Sequence, residues 1–181
     1  VQVLPAPLVN RATGQISLSE LPTNGDAPGA RGDTLHGLVN FINVVPRTPL
    51  FDTATLSGEL TYMRWLSVTQ NEGAFKGRAG YLNADGSAPI DKVTRNYAGL
   101  AVNFTPVWFQ VLPGVDLTAP IAWSQGVNGN AAVALGGFRN AGNYSVGVAA
   151  DIYQKYRVSL QYIGYYGDYS TNPATGAVSV A

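Results

Sequence analysis

Residues 53–68 alternate apolar and polar side chains with a period of two. One parity of the segment carries Ala54, Leu56, Gly58, Leu60 and Tyr62, and the other carries Thr53, Thr55, Ser57, Glu59 and Thr61. Successive side chains of a β-strand point to opposite faces, so this pattern predicts a strand with one apolar and one polar face. A helix formed by the same residues would have no coherent apolar face.

The same alternation recurs along most of the chain. Five further segments show it, at residues 35–45, 97–105, 115–125, 143–152 and 157–166. The first of these is the least regular, because Asn43 falls out of its pattern. Pro120 lies inside the third and lacks the backbone N–H needed for one ladder hydrogen bond, which predicts a bulge or a locally broken pairing there.

The amino-acid composition of the chain restricts the class of fold that it can adopt. Charged residues make up 12% of the chain, against about 25% in a typical soluble domain. The polar parity carries mainly Ser, Thr, Gly, Ala and Asn. The sequence also contains no run of roughly 18 apolar residues that could cross a bilayer as a helix. Alternating strands with small neutral residues on one parity are typical of a transmembrane β-barrel, in which lipid-facing and lumen-facing residues alternate.

Connection lengths and aromatic positions favour the same fold. Short connections are expected near 46–52, 106–114 and 153–156, and long Gly- and Asn-rich ones near 70–92 and 126–142, with another after Tyr166. Outer-membrane barrels alternate tight periplasmic turns with longer extracellular loops in this way. Aromatic residues lie at both predicted ends of the strands, as in the two interfacial girdles of such barrels.

We therefore expect an all-β fold, an antiparallel transmembrane β-barrel, of which this chain supplies about six strands. Residues 1–33 are expected to be loop with room for one short strand around 15–18, residues 34–169 to hold the transmembrane strands, and residues 170–181 to be loop or tail. Because about eight strands form the smallest closed barrel, and an open edge in lipid leaves backbone groups unpaired, we expect further strands before Val1 and at least one after Ala181.

Strand parity assigns candidate site residues to two surfaces. The expected lumen-lining residues are Thr55, Ser57, Glu59, Thr61, Asn103, Asp116, Thr118, Ser145, Asp151 and Gln161. The expected lipid-facing residues are Leu56, Leu60, Leu100, Val102, Phe104, Leu117, Ile121, Val146, Val148, Val158 and Leu160.

No pattern for catalysis stands out. His36 is the single histidine, and the chain has no Cys with which it could share a metal. Ser57 and Ser145 share its parity, but their spacing singles out neither as a nucleophile. The sequence thus predicts no enzyme and no cofactor. The zero net charge argues against a nucleic-acid partner, which needs clustered basic residues.

Charged residues leave alternatives open. Glu59, Asp116 and Asp151 fall on the polar parity, either as carboxylates that bias a pore toward cations or as structural groups satisfied by neighbours. Basic residues cluster around the first long loop, where they either meet lipopolysaccharide phosphates or form a solvated loop edge. These are Arg64, Lys76, Arg78, Lys92 and Arg95.

Three stretches carry a resemblance to a known family. Residues 111–121, 126–130 and 162–169 resemble the proteobacterial outer-membrane family called domain of unknown function thirteen-oh-two. The resemblance implies a large barrel, with this chain as its C-terminal part without the last strand. It also implies a link to catabolism and to export or uptake of hydrophobic compounds, alongside transporters of the resistance-nodulation-division type.

The expected function is that of a porin-like channel in the bacterial outer membrane. Small molecules, hydrophobic ones if the resemblance holds, would pass by diffusion, with outer-membrane lipid and lipopolysaccharide around the barrel. Two alternatives remain open: a structural or adhesive barrel with a plugged lumen, and a soluble secreted β-sandwich.

Overall fold

The structure is a computed structural model that describes residues 29–133, 137–171 and 178–180. The strands are β1 (Arg31–Val45), β2 (Thr53–Gln70), β3 (Asn96–Leu112), β4 (Val115–Thr118), β5 (Ile121–Asn128), β6 (Gly142–Ile152), β7 (Tyr156–Tyr166), β8 (Tyr169–Thr171) and β9 (Val178–Val180). A single turn of 3-10 helix, Glu72–Ala74, follows β2. None of the helical residues in these ranges forms a span long and apolar enough to cross a membrane.

Strands β1 to β7 form one antiparallel sheet in which neighbours in sequence are neighbours in space. Both β4 and β5 pair with β3 on one side and with β6 on the other. They therefore act as two halves of one strand, and the sheet is an up-and-down arrangement of six strand positions. This confirms the predicted all-β antiparallel fold and the six predicted segments.

The interruption between β4 and β5 falls at Ala119 and Pro120. The neighbouring strands bridge it, since Ala119 N–H donates to Pro106 O at 3.1 Å and Gly147 N–H donates to Pro120 O at 2.9 Å. Because Pro120 has no N–H, the ladder breaks locally there without separating the strands. The local break predicted at this proline is confirmed.

Several strands are longer than the alternation predicts. Strand β3 continues to Leu112, where the pattern predicted an end at residue 105, because Val107 and Leu112 pair with the start of the next strand position. Strand β1 begins at Arg31, within the segment predicted as loop. Its first residues are irregular, with register shifts after Arg31 and after Asp33.

The structure describes part of the segment near the C-terminus, whereas its first described residue is Gly29. The short strand predicted around 15–18 lies outside the described residues. Strand β8 begins at Tyr169, the last residue of the segment predicted to hold the transmembrane strands, and β9 lies in the segment predicted to be loop or tail. The two form a separate antiparallel pair. Three paired residues per strand are too few to show an alternating pattern in the sequence.

Register sorts the side chains of the sheet onto two faces, because residues directly opposite one another in an antiparallel pair share a face. One row runs from Asn40 through Glu59, Ala101, Ser124 and Asn143 to Tyr165. We call the face that contains this row the polar face. The opposite face contains the row of Asn43, Leu56, Phe104, Ile121, Val146 and Tyr162, and we call it the apolar face.

The apolar face carries large exposed side chains. Leu160 is 76% exposed, Val158 63% and Val146 50%. Among the described residues, no second layer packs against these side chains. A soluble sandwich buries this kind of face against another sheet, so the described layer differs from the sandwich alternative.

Both outer strands of the sheet have a free edge in the described part of the chain. Strand β1 pairs with β2, and β7 pairs with β6, and no pairing between β1 and β7 closes the sheet. Each edge presents a row of backbone N–H and C=O groups that is open to a further strand.

Candidate functional site

The polar face brings together the residues predicted to line a lumen. They are contributed by β2, β3, β4, β6 and β7, and the cross-strand register places all of them on this one face: Thr55, Ser57, Glu59, Thr61, Asn103, Asp116, Thr118, Ser145, Asp151 and Gln161. The residues predicted to face lipid lie together on the apolar face: Leu56, Leu60, Leu100, Val102, Phe104, Leu117, Ile121, Val146, Val148, Val158 and Leu160.

The connection between β2 and β3, residues 71–95, folds over one end of the polar face. We call it the first loop. Phe75 anchors it, since its side chain is 5% exposed and meets the Trp65 ring edge-on with centroids 5.1 Å apart. Met63 is 3% exposed in the same cluster. Trp65 thus lies under the first loop on the polar face.

A network of polar contacts holds the first loop in shape. Lys76 Nζ lies 2.6 Å from Asp91 Oδ2, and the Tyr81 hydroxyl donates to the same carboxylate at 3.0 Å. Burial, followed by this hydrogen bond to Asp91, raises the pKa of Tyr81 to about 12. Arg78 donates to Phe75 O at 2.8 Å. The loop is therefore an ordered element with internal contacts of its own.

The connection between β5 and β6 is the second loop, of which the structure describes residues 129–133 and 137–141. Asn130 ties it to the first loop. Asn130 Nδ2 donates to Ile90 O at 2.8 Å and to Lys92 O at 2.9 Å. Its backbone N–H donates to Thr94 Oγ1 at 2.7 Å, and its Oδ1 accepts the Arg139 N–H at 3.0 Å. One side chain thus links three separate stretches of backbone.

The second loop also lies close to the sheet at Gly126. A Cβ atom there would collide with the Phe138 carbonyl, and one at Gly137 would collide with the Tyr97 hydroxyl. Tyr97 extends along the polar face beside Gly99. Because glycine has no side chain, the loop and the strand can approach each other closely at these two positions, and glycine is required there.

A cavity of about 470 Å³ remains between the second loop and the polar face. Its floor and walls contain small residues of the central strands, and aromatic rings stand at its edges. The lining residues used below are Glu59, Thr61, Tyr97, Ser124, Asn143 and Tyr165. A volume of this size is in the range of about 300–1,000 Å³ found for small-molecule sites.

The three carboxylates predicted on the polar parity have different surroundings. Asp151 forms an ion pair with Arg157 at 3.1 Å. Asp116 Oδ1 accepts the Gln110 backbone N–H at 2.7 Å. Glu59 lines the cavity and has no hydrogen-bond or ion-pair partner among the described residues. The two satisfied carboxylates fit the structural interpretation, whereas Glu59 fits the interpretation as a lumen charge.

The other candidate groups form no catalytic arrangement in the part of the chain that the structure describes. His36 lies on the polar face with its Nε2 atom 2.8 Å from Thr34 Oγ1. Ser145 lies four strand positions away from β1, so it is distant from His36. The described residues contain no group of His, Cys, Asp and Glu side chains that could hold a metal ion.

Most of the basic residues around the first loop have partners within it. Arg95 lies over the Trp65 ring, 4.2 Å from its centroid, and donates to Leu66 O at 3.0 Å. Lys92 Nζ lies 3.5 Å from Ala79 O. Lys76 and Arg78 have the partners given above. These contacts already occupy some of the N–H donors that would otherwise bind a lipopolysaccharide phosphate.

Sequence reasoning missed the residues that fold the loops inward. These residues lie outside the clear alternation or at its margin: Phe75, Tyr97, Asn130 and Phe138. The partners of Asn130 lie 9 to 40 positions away in sequence, and Phe75 packs against residues of β2 and of the second loop. One available signal was Phe75, a lone large apolar residue in an otherwise polar stretch. Such a residue in a loop favours an anchor rather than a solvated tip.

The fold and its site define a β-sheet protein with one apolar and one polar face, the polar face being partly covered by the first loop and by the described part of the second. A model of the family described as Protein of unknown function (DUF1302) matches residues 3–177. The chain belongs to this family, in agreement with the resemblance of its motifs. No curated protein and no solved structure gives a significant match.

Proposed function

We propose that these strands are part of a transmembrane β-barrel in the bacterial outer membrane, with the apolar face toward lipid and the polar face toward the lumen. The observation that carries this proposal is the exposed apolar face, which runs across all six strand positions. Burial of such a face in hydrocarbon would stabilise it by about 25 cal/mol per Å² removed from water. The two free edges then pair with further strands, because an unpaired edge in lipid costs several kcal/mol per group.

The function that this arrangement supports best is passive passage of small molecules through the lumen. Many residues of the polar face carry small hydroxyl or amide groups or are glycine, beside larger ones such as Ile42 and Tyr165. The first loop and the described part of the second fold onto this face. Inward-folded loops narrow a barrel at one end and leave selection to pore width and charge. A cavity of about 470 Å³ lies between the polar face and the described part of the second loop.

A barrel with a plugged lumen is the second candidate. The hydrophobic cluster at the loop end supports it, because Ala30, Met63, Phe75 and Ala132 pack together on the polar face. An apolar plug of this kind excludes water and ions from its own volume. In that case the outer surfaces of the loops would carry the activity, as in a structural or adhesive barrel.

The proposal includes partners at the membrane and in transport. Outer-membrane lipid would cover the apolar face, and exposed basic groups such as Arg64 would contact lipopolysaccharide phosphates by charge-assisted hydrogen bonds. Hydrophobic cargo and partners from a transport system follow from the family resemblance alone. No catalytic step and no cofactor belongs to this function.

Conductance in planar lipid bilayers tests the channel. We expect the natural full-length protein, purified in detergent, to give stepwise ion currents. Its migration on a denaturing gel should change on boiling, because a closed barrel resists unfolding in detergent. Heat-dependent migration without current would support the plugged barrel, and the absence of both would contradict the membrane assignment.

A further inference from the structure

The middle of the polar face contains a single charged side chain, Glu59. Its own row and the two neighbouring rows hold only uncharged residues: Leu38, Asn40, Ile42, Ser57, Thr61, Gly99, Ala101, Asn103, Ala122, Ser124, Gly126, Asn143, Ser145, Ile163 and Tyr165. No neighbouring cation in these rows compensates the negative charge of a carboxylate there.

Two described basic groups that could compensate this charge, Arg157 and Arg139, have other surroundings. Arg157 is paired with Asp151, eight residues along β6 from Asn143, which corresponds to roughly 25 Å along the strand. Exposed charges interact weakly beyond a Debye length of about 8 Å at physiological ionic strength. In the second loop, Arg139 lines a different cavity, together with Lys92 and Arg95. Among the described residues, Glu59 therefore has no ion-pair partner on the polar face.

The cavity beside Glu59 has the chemistry of a cation site. Thr61, Ser124 and Asn143 offer hydroxyl and amide oxygens that can replace part of a hydration shell. Tyr97 and Tyr165 add aromatic rings, whose faces attract cations. The volume of about 470 Å³ admits a hydrated alkali-metal ion or a small organic ammonium ion.

We propose that Glu59 forms a cation-binding position on the permeation path and makes the channel prefer cations, including small protonated amines, over anions. This inference rests on the proposed channel function. Asp116 and Asp151 contribute less, because the first already accepts a backbone N–H and the second is neutralised by Arg157.

The reversal potential of the bilayer current in a KCl gradient tests the assignment. We expect Glu59→Gln to lower the permeability ratio of K⁺ to Cl⁻ by at least about threefold, and Glu59→Lys to invert the preference. Asp116→Asn is the matched control, since it removes one carboxylate from the same face, and it should leave the ratio within about a factor of two.

The outcomes separate this inference from the channel proposal. Currents whose ion preference is the same in wild type and in both Glu59 variants would overturn the role of Glu59 while leaving the channel intact. An equal loss of preference in Asp116→Asn would also overturn it, since any carboxylate on the face would then be equivalent. A wild-type protein without current would contradict the channel itself, and the heat-dependent gel shift shows whether each variant has folded.

Discussion

Two tight turns meet at the end of the sheet opposite the loops. Gly114, in the turn between β3 and β4, has a backbone φ of 77°, in the left-handed region that favours glycine. The turn between β6 and β7 places Tyr153 and Gln154 at φ values of 52° and 53°. Tyr153 N–H donates to Gly114 O at 2.6 Å. The two turns therefore stabilise each other through one residue pair.

The variant Gly114→Ala should destabilise the protein by about 1–3 kcal/mol, because alanine is strained at this φ. A Cβ atom at this position would also collide with the Tyr153 ring. The free energy of unfolding in detergent, measured by urea titration of tryptophan fluorescence, gives the size of the effect.

Gly37→Ala provides the control for this prediction. Gly37 lies within β1, and a Cβ atom there would meet no atom within 4 Å. The free energy of unfolding should stay the same or rise by about 0.5 kcal/mol, since alanine loses less backbone entropy than glycine on folding. Equal destabilisation by both substitutions would show that the turn geometry is not the cause.

The first loop is the element whose position depends most on one side chain. Phe75 is the apolar anchor that fixes residues 71–95 on Trp65 and Met63. Phe75→Ala should weaken docking of the loop by about 3 kcal/mol, roughly a hundredfold in the docked population. Limited proteolysis of the intact protein should then cut within the loop much faster than in the wild type.

Leu82→Ala serves as the matched variant within the same loop. Leu82 is exposed, so its loss should change neither docking nor cleavage. If the channel proposal holds, Phe75→Ala should also raise the single-channel conductance, because the loop no longer covers the polar face. Unchanged proteolysis in Phe75→Ala would show that the polar network around Asp91 holds the loop without the anchor.

Sequence alone predicts the strands well and the loops poorly, for a physical reason. The parity of residues such as Leu56 and Ser57 follows from local backbone geometry, so alternation reveals which of them share a face. The docking of Phe75, or the link from Asn130 to Ile90, depends on contacts between distant segments that leave no periodic pattern. The charge of Glu59 was visible in sequence, but the lack of a nearby partner among the described residues required the register of six strands.

At the scale of the whole molecule, the tryptophans Trp123 and Trp65 lie on opposite faces of the sheet. Trp123 pairs with Val102 and Tyr144 on the apolar face, whereas Trp65 is on the polar face beneath Phe75. If the apolar face contacts lipid, only the first of these rings is within reach of acyl chains.

Quenching by lipids with brominated acyl chains measures this difference. In reconstituted vesicles, Trp123→Phe should remove a clear share of the quenchable fluorescence, and Trp65→Phe should remove almost none. The two variants control for each other, because each deletes one indole ring. A larger loss of quenching in Trp65→Phe would reverse the assignment of the faces.

The up-and-down order of the strands has a consequence for how such proteins vary. In the described sheet, each strand position pairs with its neighbours in sequence, and no crossover connects distant strands there. A complete hairpin can therefore be gained or lost without changing any other strand pairing, because the two strands that flanked it can then pair with each other. The width of the sheet can thus change by two strands at a time while the assignment of each remaining side chain to the polar or the apolar face is preserved.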